Sequence, residues 1–460
     1  MQSSSDVSPS ESSRNETGLS HHPDHPVRVL FSPWNWRRRL LLIGAALIAS
    51  TIAILFAIGA DNAIGIHRAW VRERPWLTLI IAPFGFACLA WLSMRFFPGT
   101  EGSGIPQAIA ASQSDDARLR GQFLSPRIAI AKVFLTLGGL LSGASIGREG
   151  PSVQIGASAM HMLADRRLAS SRDLIAAGSG AGIAAAFNTP LGGIMFAIEE
   201  MCRNRAFHAN SATLIAVILA GLMSLALLGN YTYFGHTPAS LDWPSGIWAI
   251  LFAGGLGGLA GGGFSRLLVA SANGMPGRLG EFARFRPITF AAACGLATAI
   301  LGLASGGLTY GTGYDESKTA LEDITQLPLY FMFAKMAVIW LAFAARIPGG
   351  IFAPSLAVGA GLGAIIAWLL PNGQHEAILV LAMVGFLAAM TQSPITSFVI
   401  VMEMTDNHQM LIPLMATAVI AHGISKSILQ PPLYLTLADP LLKKAQRHLR
   451  VLRAREKNGG

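Results

Sequence analysis

The chain has 460 residues, of which 52% are hydrophobic and only 13% charged, whereas a typical soluble domain carries about 25% charged residues. With a mean hydropathy of +0.49, this composition excludes a disordered protein, a secreted disulfide scaffold and an ordinary cytosolic enzyme. It predicts an all-α polytopic membrane protein, because each spanning helix needs roughly 20 mostly apolar residues.

The net charge of +9 does not indicate a nucleic-acid partner, because of where the cations lie. Seven basic residues and one acid fall between Lys443 and Lys457, and Arg37–Arg39 directly precede the first apolar run. Both clusters flank membrane segments, so the positive-inside rule places both termini in the cytoplasm.

From the N-terminus to the C-terminus, the composition predicts five parts. Residues 1–36 are rich in Ser, His and Pro and read as a disordered cytoplasmic tail, in which the histidines are solvated rather than metal ligands. The other parts are a first membrane repeat (37–229), a linker of turn formers (230–245), a second membrane repeat (246–436) and a basic cytoplasmic tail (437–460) with no room for a regulatory domain.

Two sequence matches at nearly the same offset indicate the repeats. Residues 151–157, Pro-Ser-Val-Gln-Ile-Gly-Ala, return 203 positions later as Pro-Ser-Leu-Ala-Val-Gly-Ala at 354–360. Asn-Thr-Pro at 188–190 returns 204 positions later as Gln-Ser-Pro at 392–394. Repeats with corresponding broken segments are typical of secondary transporters, whose substrate site lies where the repeats meet. We therefore expect two inverted repeats with broken helices around a central site.

Three stretches combine glycine with proline just before an apolar, helix-compatible segment: Gly102–Pro106, Gly147–Pro151 and Gly349–Pro354. Proline is favoured in the first turn of a helix, so each stretch predicts a helix N-terminus. The free N–H groups and positive dipole ends of three convergent N-termini would form an anion site. Such a site lacks a full positive charge, which lets the anion leave again.

These motifs, GSGIP, GREGP and GIFAP in this order, resemble the three anion-site motifs of the CLC family of chloride channels and chloride/proton antiporters. Tyr434, in Pro-Pro-Leu-Tyr near the end of the membrane portion, is a fourth matching element. The resemblance covers about residues 40–440 and is to the prokaryotic type without C-terminal regulatory domains. It implies a homodimer in the lipid bilayer, here the bacterial inner membrane.

The resemblance implies roles for residues of the central anion site. Ser103 and Tyr434 would coordinate the anion through their hydroxyls, and Ile351 and Phe352 through their backbone N–H groups. Members with proline in place of Ser103 tend to prefer nitrate, and the fluoride-selective branch departs at this position and at Pro151. Both positions are standard here, so chloride is the expected anion.

Glu149 matches the gating glutamate of the family, and the amides of Arg148, Glu149 and Gly150 would line an outer anion site. A carboxylate at membrane depth is also a functional candidate on physical grounds, because it costs several kcal/mol unless it is paired or protonated. We expect the Arg148 side chain to position the turn rather than to bind the anion.

Glu200, the second acid of Glu-Glu-Met, matches the internal proton-transfer glutamate of the family. Family channels usually lack an acid here, so Glu200 favours an antiporter over a channel. Glu403 ends the corresponding apolar run of the second repeat and is interpreted as a buried structural acid near a subunit contact.

Other classes of function find less support. The sequence has no Gly-x4-Gly-Lys-Ser/Thr loop, no Cys/His cluster suited to a metal and no Ser/His/Asp arrangement, so neither a pump, an enzyme nor a cofactor is expected. The three remaining readings are a proton-coupled chloride exchanger, a passive chloride channel, and an unrelated symporter whose helix N-termini bind a carboxylate.

Overall fold

The computed structural model describes residues 33–163, 170–203, 211–229, 232–370 and 374–458. The prediction of all-α structure is confirmed, since these ranges contain helices, turns and a single isolated bridge, and no strand. Most of the predicted N-terminal tail (1–32) and the first two linker residues lie outside the described residues. The helices are α1 (Pro33–Glu73), α2 (Thr78–Arg95), α3 (Ile105–Gln113), α4 (Ala117–Phe123), α5 (Pro126–Leu141), α6 (Glu149–Leu163), α7 (Ser171–Phe187), α8 (Pro190–Phe196), α9 (Ser211–Leu228), α10 (Gly246–Asn273), α11 (Gly277–Phe285), α12 (Pro287–Ala304), α13 (Tyr314–Glu322), α14 (Phe331–Ala344), α15 (Phe352–Leu369), α16 (His375–Thr391), α17 (Pro394–Thr405), α18 (Leu411–Ile428) and α19 (Leu433–Asn458).

The limits of the membrane helices follow local chemistry. Seven helical segments among the described residues are long and apolar enough to cross a membrane. Proline stands in the first turn of several helices, where its missing N–H is no loss. The same preference places the start of α1 at Pro33, so residues 33–36 belong to a helix and not to the predicted tail. The basic C-terminal segment is helical too, as the continuation of α19.

The centre of the molecule is a layer of helices buried on all sides. Every residue of α16 after its first two is buried, and α6, α7 and α15 are nearly as enclosed, as expected of helices that are apolar all round. Gly156 of α6 and Gly178 of α7 face each other so closely that a Cβ on either would collide with the carbonyl oxygen of the other. Glycine in this protein therefore serves helix packing as well as turns.

Corresponding positions of the two halves meet at Gly147 and Gly350, 203 residues apart. The Gly147 N–H donates to the Gly350 carbonyl at 2.6 Å, and the Gly350 N–H donates to the Gly147 carbonyl at 2.7 Å. This reciprocal pair joins the turn before α6 directly to the turn before α15.

Two buried lysines at the same offset, Lys132 and Lys335, each hold a glycine-rich turn in place. Lys132 Nζ donates to the carbonyls of Thr100 at 2.7 Å and Gly102 at 2.5 Å. Lys335 Nζ donates to the carbonyls of Thr309 and Gly311, both at 2.9 Å. Backbone carbonyls thus solvate both ammonium groups, which burial would otherwise penalise. We did not predict these lysines, although their shared offset within apolar runs was a usable signal.

Candidate functional site

The three predicted helix N-termini converge at the centre of the protein. The Gly349 N–H donates to the Gly102 carbonyl at 3.0 Å, which ties the turn before α15 to the turn before α3. A Cβ on Gly104 would approach the Gly150 carbonyl oxygen to 2.5 Å, so α3 and α6 begin in direct contact. Gly104 also has a φ of 106°, a conformation suited to glycine. Glycine at 104 is therefore required by the close approach of the two turns as well as by its backbone conformation.

Ser103 and Tyr434 lie together at this convergence, with 4% and 0% of their surfaces exposed. Tyr434 is the second residue of α19, and its hydroxyl faces Ser103. Neither hydroxyl makes a hydrogen bond of normal geometry with any residue that the structure describes. Buried hydroxyls nearly always have a partner, so this pair is suited to a ligand that accepts hydrogen bonds.

The backbone positions predicted for the central site lie at the same point. Ile351 is the N-cap residue of α15 and Phe352 is its first residue, and both are buried. The first N–H groups of a helix have no partner within the helix. Gly150, in the first turn of α6, lies so close to Ser103 that a Cβ there would collide with its side chain.

Glu149 is the first residue of α6 and is completely buried. One carboxylate oxygen accepts a long hydrogen bond of 3.4 Å from the Ala353 N–H in the first turn of α15, and the other lacks a partner among described residues. The carboxylate therefore lies between two helix N-termini, where a negative charge is stabilised by both dipoles.

The Arg148 side chain turns away from the convergence towards α1. One of its guanidinium nitrogens donates to Asp61 at 2.6 Å and to the Ala57 carbonyl at 2.9 Å, while the guanidinium lies 5.7 Å from the centre of the Tyr233 ring. A cavity of about 450 Å³, lined in part by these three side chains, opens here. The geometry agrees with a positioning side chain whose charge is balanced by Asp61.

Glu200 lies in a π-helical turn formed by Ala197–Met201. Its side chain is only 2% exposed and is held by Ser393, through a short hydrogen bond, and by Arg203 at 3.0 Å. Arg203 also donates to the Gln392 carbonyl at 2.8 Å and to the Ser393 hydroxyl at 2.6 Å.

Sequence reasoning did not find Arg203 or assign a role to Ser393. The available signal was the repeat itself, because Ser393 lies in the Gln-Ser-Pro segment that corresponds to Asn-Thr-Pro. No sequence pattern marks Arg203.

The neighbouring acids Glu199 and Glu403 cap helices. Glu199 accepts hydrogen bonds from the N–H groups of Ile395 at 3.2 Å and Thr396 at 2.6 Å. Glu403 accepts from those of Leu191 at 3.0 Å and Gly192 at 2.7 Å. The structural role expected of Glu403 is thus the capping of α8, and its proximity to a subunit contact stays a prediction.

Within the described ranges, no group of three or more His, Cys, Asp or Glu side chains could hold a metal ion. The histidines of the N-terminal tail lie outside those ranges. The three cysteines, Cys88, Cys202 and Cys294, are free and lie in buried or half-buried positions.

The protein is similar to known proteins over most of its length. It is 32% identical to the H(+)/Cl(-) exchange transporter ClcA of Cronobacter sakazakii (strain ATCC BAA-894), with 91% of this chain and 93% of the relative covered. The structure of a slow cyanobacterial Cl-/H+ antiporter matches with a TM-score of 0.75 and 25% identity, over 89% of this chain and 98% of the other.

A CLC-type fluoride/proton antiporter shares the fold, with a TM-score of 0.72 and 22% identity over 86% of this chain and 97% of the other. The family model described as voltage gated chloride channel matches residues 84–426. The resemblance seen in the glycine–proline motifs is thereby confirmed. The chain is an integral membrane protein that belongs to the voltage-gated chloride channel (CLC) family.

Proposed function

We propose that this protein transports chloride across the membrane in exchange for protons. The observation that carries the proposal is the pair of buried hydroxyls, Ser103 and Tyr434, at the convergence of three helix N-termini. The C. sakazakii relative, named as an H(+)/Cl(-) exchange transporter, supports the choice of ions.

The chemistry around the hydroxyls suits an anion that must be released. The nearby cations are already engaged, Arg148 with Asp61 and Lys132 with backbone carbonyls. A chloride at the centre would therefore be held by hydroxyls, backbone N–H groups and dipole ends alone. Binding of this kind is strong enough for entry and weak enough for exit.

Glu149 is proposed as the gate. Its ionised carboxylate would compete with chloride for the N-termini of α6 and α15, since it already accepts a bond from Ala353. Protonation removes the negative charge and with it the attraction to both dipoles. The neutral carboxyl group is then free to leave the anion path. Protonation of Glu149 is thereby coupled to the movement of chloride.

Glu200 is proposed as the internal proton-transfer residue. Its burial and its polar contacts with Ser393 and Arg203 keep a carboxylate within the interior of the protein. An acid so deep within apolar surroundings is a functional candidate by default.

We further propose a homodimer in the bacterial inner membrane with both termini cytoplasmic, in line with the basic clusters at both ends.

The experiment that tests the function is a reversal-potential measurement in proteoliposomes under opposed chloride and pH gradients. We expect a chloride gradient to drive protons uphill. Chloride flux whose reversal potential ignores the pH gradient would instead establish a passive channel. An absence of chloride flux would contradict the proposal and favour a carboxylate symporter.

A further inference from the structure

A cleft of about 680 Å³ lies apart from the anion path, between the connection from α2 to α5 and the helix α19. The first wall includes Phe96, at the end of α2, and Ile128, in the first turn of α5. The second wall is formed by Leu441, Lys444 and neighbouring residues of α19. The cleft therefore lies next to Arg95, where one candidate membrane span ends, and beside the first half of another, Ala117–Leu141.

Positive charge dominates the lining of the cleft. Arg127, Lys444 and Arg447 line it together with one acid, Glu101, and Glu101 has an ion-pair partner in Arg346 at 3.6 Å. Arg127 donates one hydrogen bond to the Phe96 carbonyl at 3.0 Å, lies with its guanidinium 5.5 Å from the centre of the Phe97 ring, and is exposed. Lys444 and Arg447 are exposed and form no ion pair with any residue the structure describes.

The apolar part of the lining selects among anionic ligands. A free phosphate would satisfy the cations and leave the exposed Phe96 and the half-buried Leu441 in contact with water. A phospholipid would cover these side chains with an acyl group, and its phosphate would lie among the cations at the level of the bilayer headgroups. α19 itself is a basic helix with apolar residues such as Leu437 and Leu449 buried against the protein, as in helices that lie at a membrane surface.

We propose that this cleft binds the headgroup phosphate of an anionic phospholipid and that the bound lipid supports transport. Both walls of the cleft are connected to residues of the central anion site. Tyr434 begins the helix of the second wall. Gln107, which lines the cleft, accepts from the Gly104 N–H at 3.0 Å and donates to the Glu101 carbonyl at 2.5 Å, so it fixes the turn that carries Ser103. A lipid that contacts both walls of the cleft would stabilise the distance between the Ser103 and Tyr434 hydroxyls.

The first test measures chloride flux in vesicles of neutral phosphatidylcholine with increasing phosphatidylglycerol. We expect flux of the wild-type protein to rise with phosphatidylglycerol, and Lys444→Gln to need an about fivefold higher mole fraction for the same rate. Lys443→Gln is the matched control, because it removes the same charge from the adjacent position outside the cleft. Equal shifts for the two variants, or flux independent of phosphatidylglycerol, would overturn the proposal.

The second test does not depend on transport, since the flux readout rests on the proposed function. Thermal unfolding of the full-length protein in neutral detergent is followed with added short-chain phosphatidylglycerol, short-chain phosphatidylcholine or inorganic phosphate. We expect only phosphatidylglycerol to raise the midpoint, and less in Lys444→Gln than in Lys443→Gln. Equal stabilisation by inorganic phosphate would refute the lipid assignment. Stabilisation by phosphatidylglycerol without chloride flux in any vesicle would leave the lipid site standing and refute the transport function.

Discussion

Glu199 caps the helix that carries Glu403, and Glu403 caps the helix that directly precedes Glu199. The Glu199 carboxylate accepts two hydrogen bonds from the first turn of α17, which carries Glu403, and Glu403 accepts two from the first turn of α8, which precedes Glu199. Carboxylates are favoured at helix N-termini by the free N–H groups and by the dipole. The two acids therefore hold the halves of the protein together.

Replacement of either acid by glutamine is expected to lower stability and leave ion coupling intact. Each variant loses a charge-assisted cap worth about 1 kcal/mol, and the two losses should be similar because the contacts correspond. Unfolding in detergent measures the stability and a proton-flux assay the coupling. Loss of coupling in Glu403→Gln would contradict a purely structural role.

Glu149→Gln is expected to transport chloride without protons. The neutral amide keeps the size of the side chain but has no charge to compete for the N-termini of α6 and α15. Chloride efflux and proton uptake are recorded in the same vesicles over a range of pH. A variant that still drives protons against their gradient would show that another group is the gate.

Glu200→Gln is expected to retain chloride flux and to lose proton movement, because the amide cannot take up and release a proton. Glu199→Gln is the control, as it makes the same change at the adjacent residue, which caps α17 instead of facing Ser393. Both are compared by the number of protons moved per chloride. Intact coupling in Glu200→Gln would show that the assignment of this residue is wrong.

Ser103→Ala and Tyr434→Phe are each expected to weaken chloride binding about 2- to 10-fold, since each removes one hydrogen-bond donor worth roughly 0.5–1.5 kcal/mol. Calorimetric titration with chloride measures the affinity. Ser158→Ala serves as the control, because Ser158 is equally buried but donates to the Gln154 carbonyl of its own helix at 2.7 Å. Unchanged affinity in both site variants would remove these hydroxyls from the anion site.

Lys132→Met and Lys335→Met are expected to lower the free energy of unfolding by similar amounts, roughly 2–4 kcal/mol, because each leaves buried carbonyls without a donor. Only Lys132→Met should also weaken chloride binding, since only its turn carries Ser103. Comparable losses of affinity in both variants would indicate general loosening of the fold.

Local sequence chemistry was sufficient to predict the turns, the helix starts and the repeat. Glycine followed closely by proline favours a turn that runs into a helix N-terminus, and the three turns lie at the positions that this pattern predicts. The contacts that complete the site were beyond such reasoning. Asp61 reaches Arg148 over 87 positions and Ser393 reaches Glu200 over 193, and no local pattern relates residues so far apart. These partners are fixed by the packing of the two halves.

The reciprocal pair between Gly147 and Gly350 limits how this transporter can move. A carrier that rocks one half against the other would have to break two short backbone hydrogen bonds, at 2.6 and 2.7 Å, in every cycle. Here these bonds fasten the turn of Glu149 to the turn that presents Ile351. Rotation of a single side chain, such as that of Glu149, leaves both of these backbone bonds unbroken.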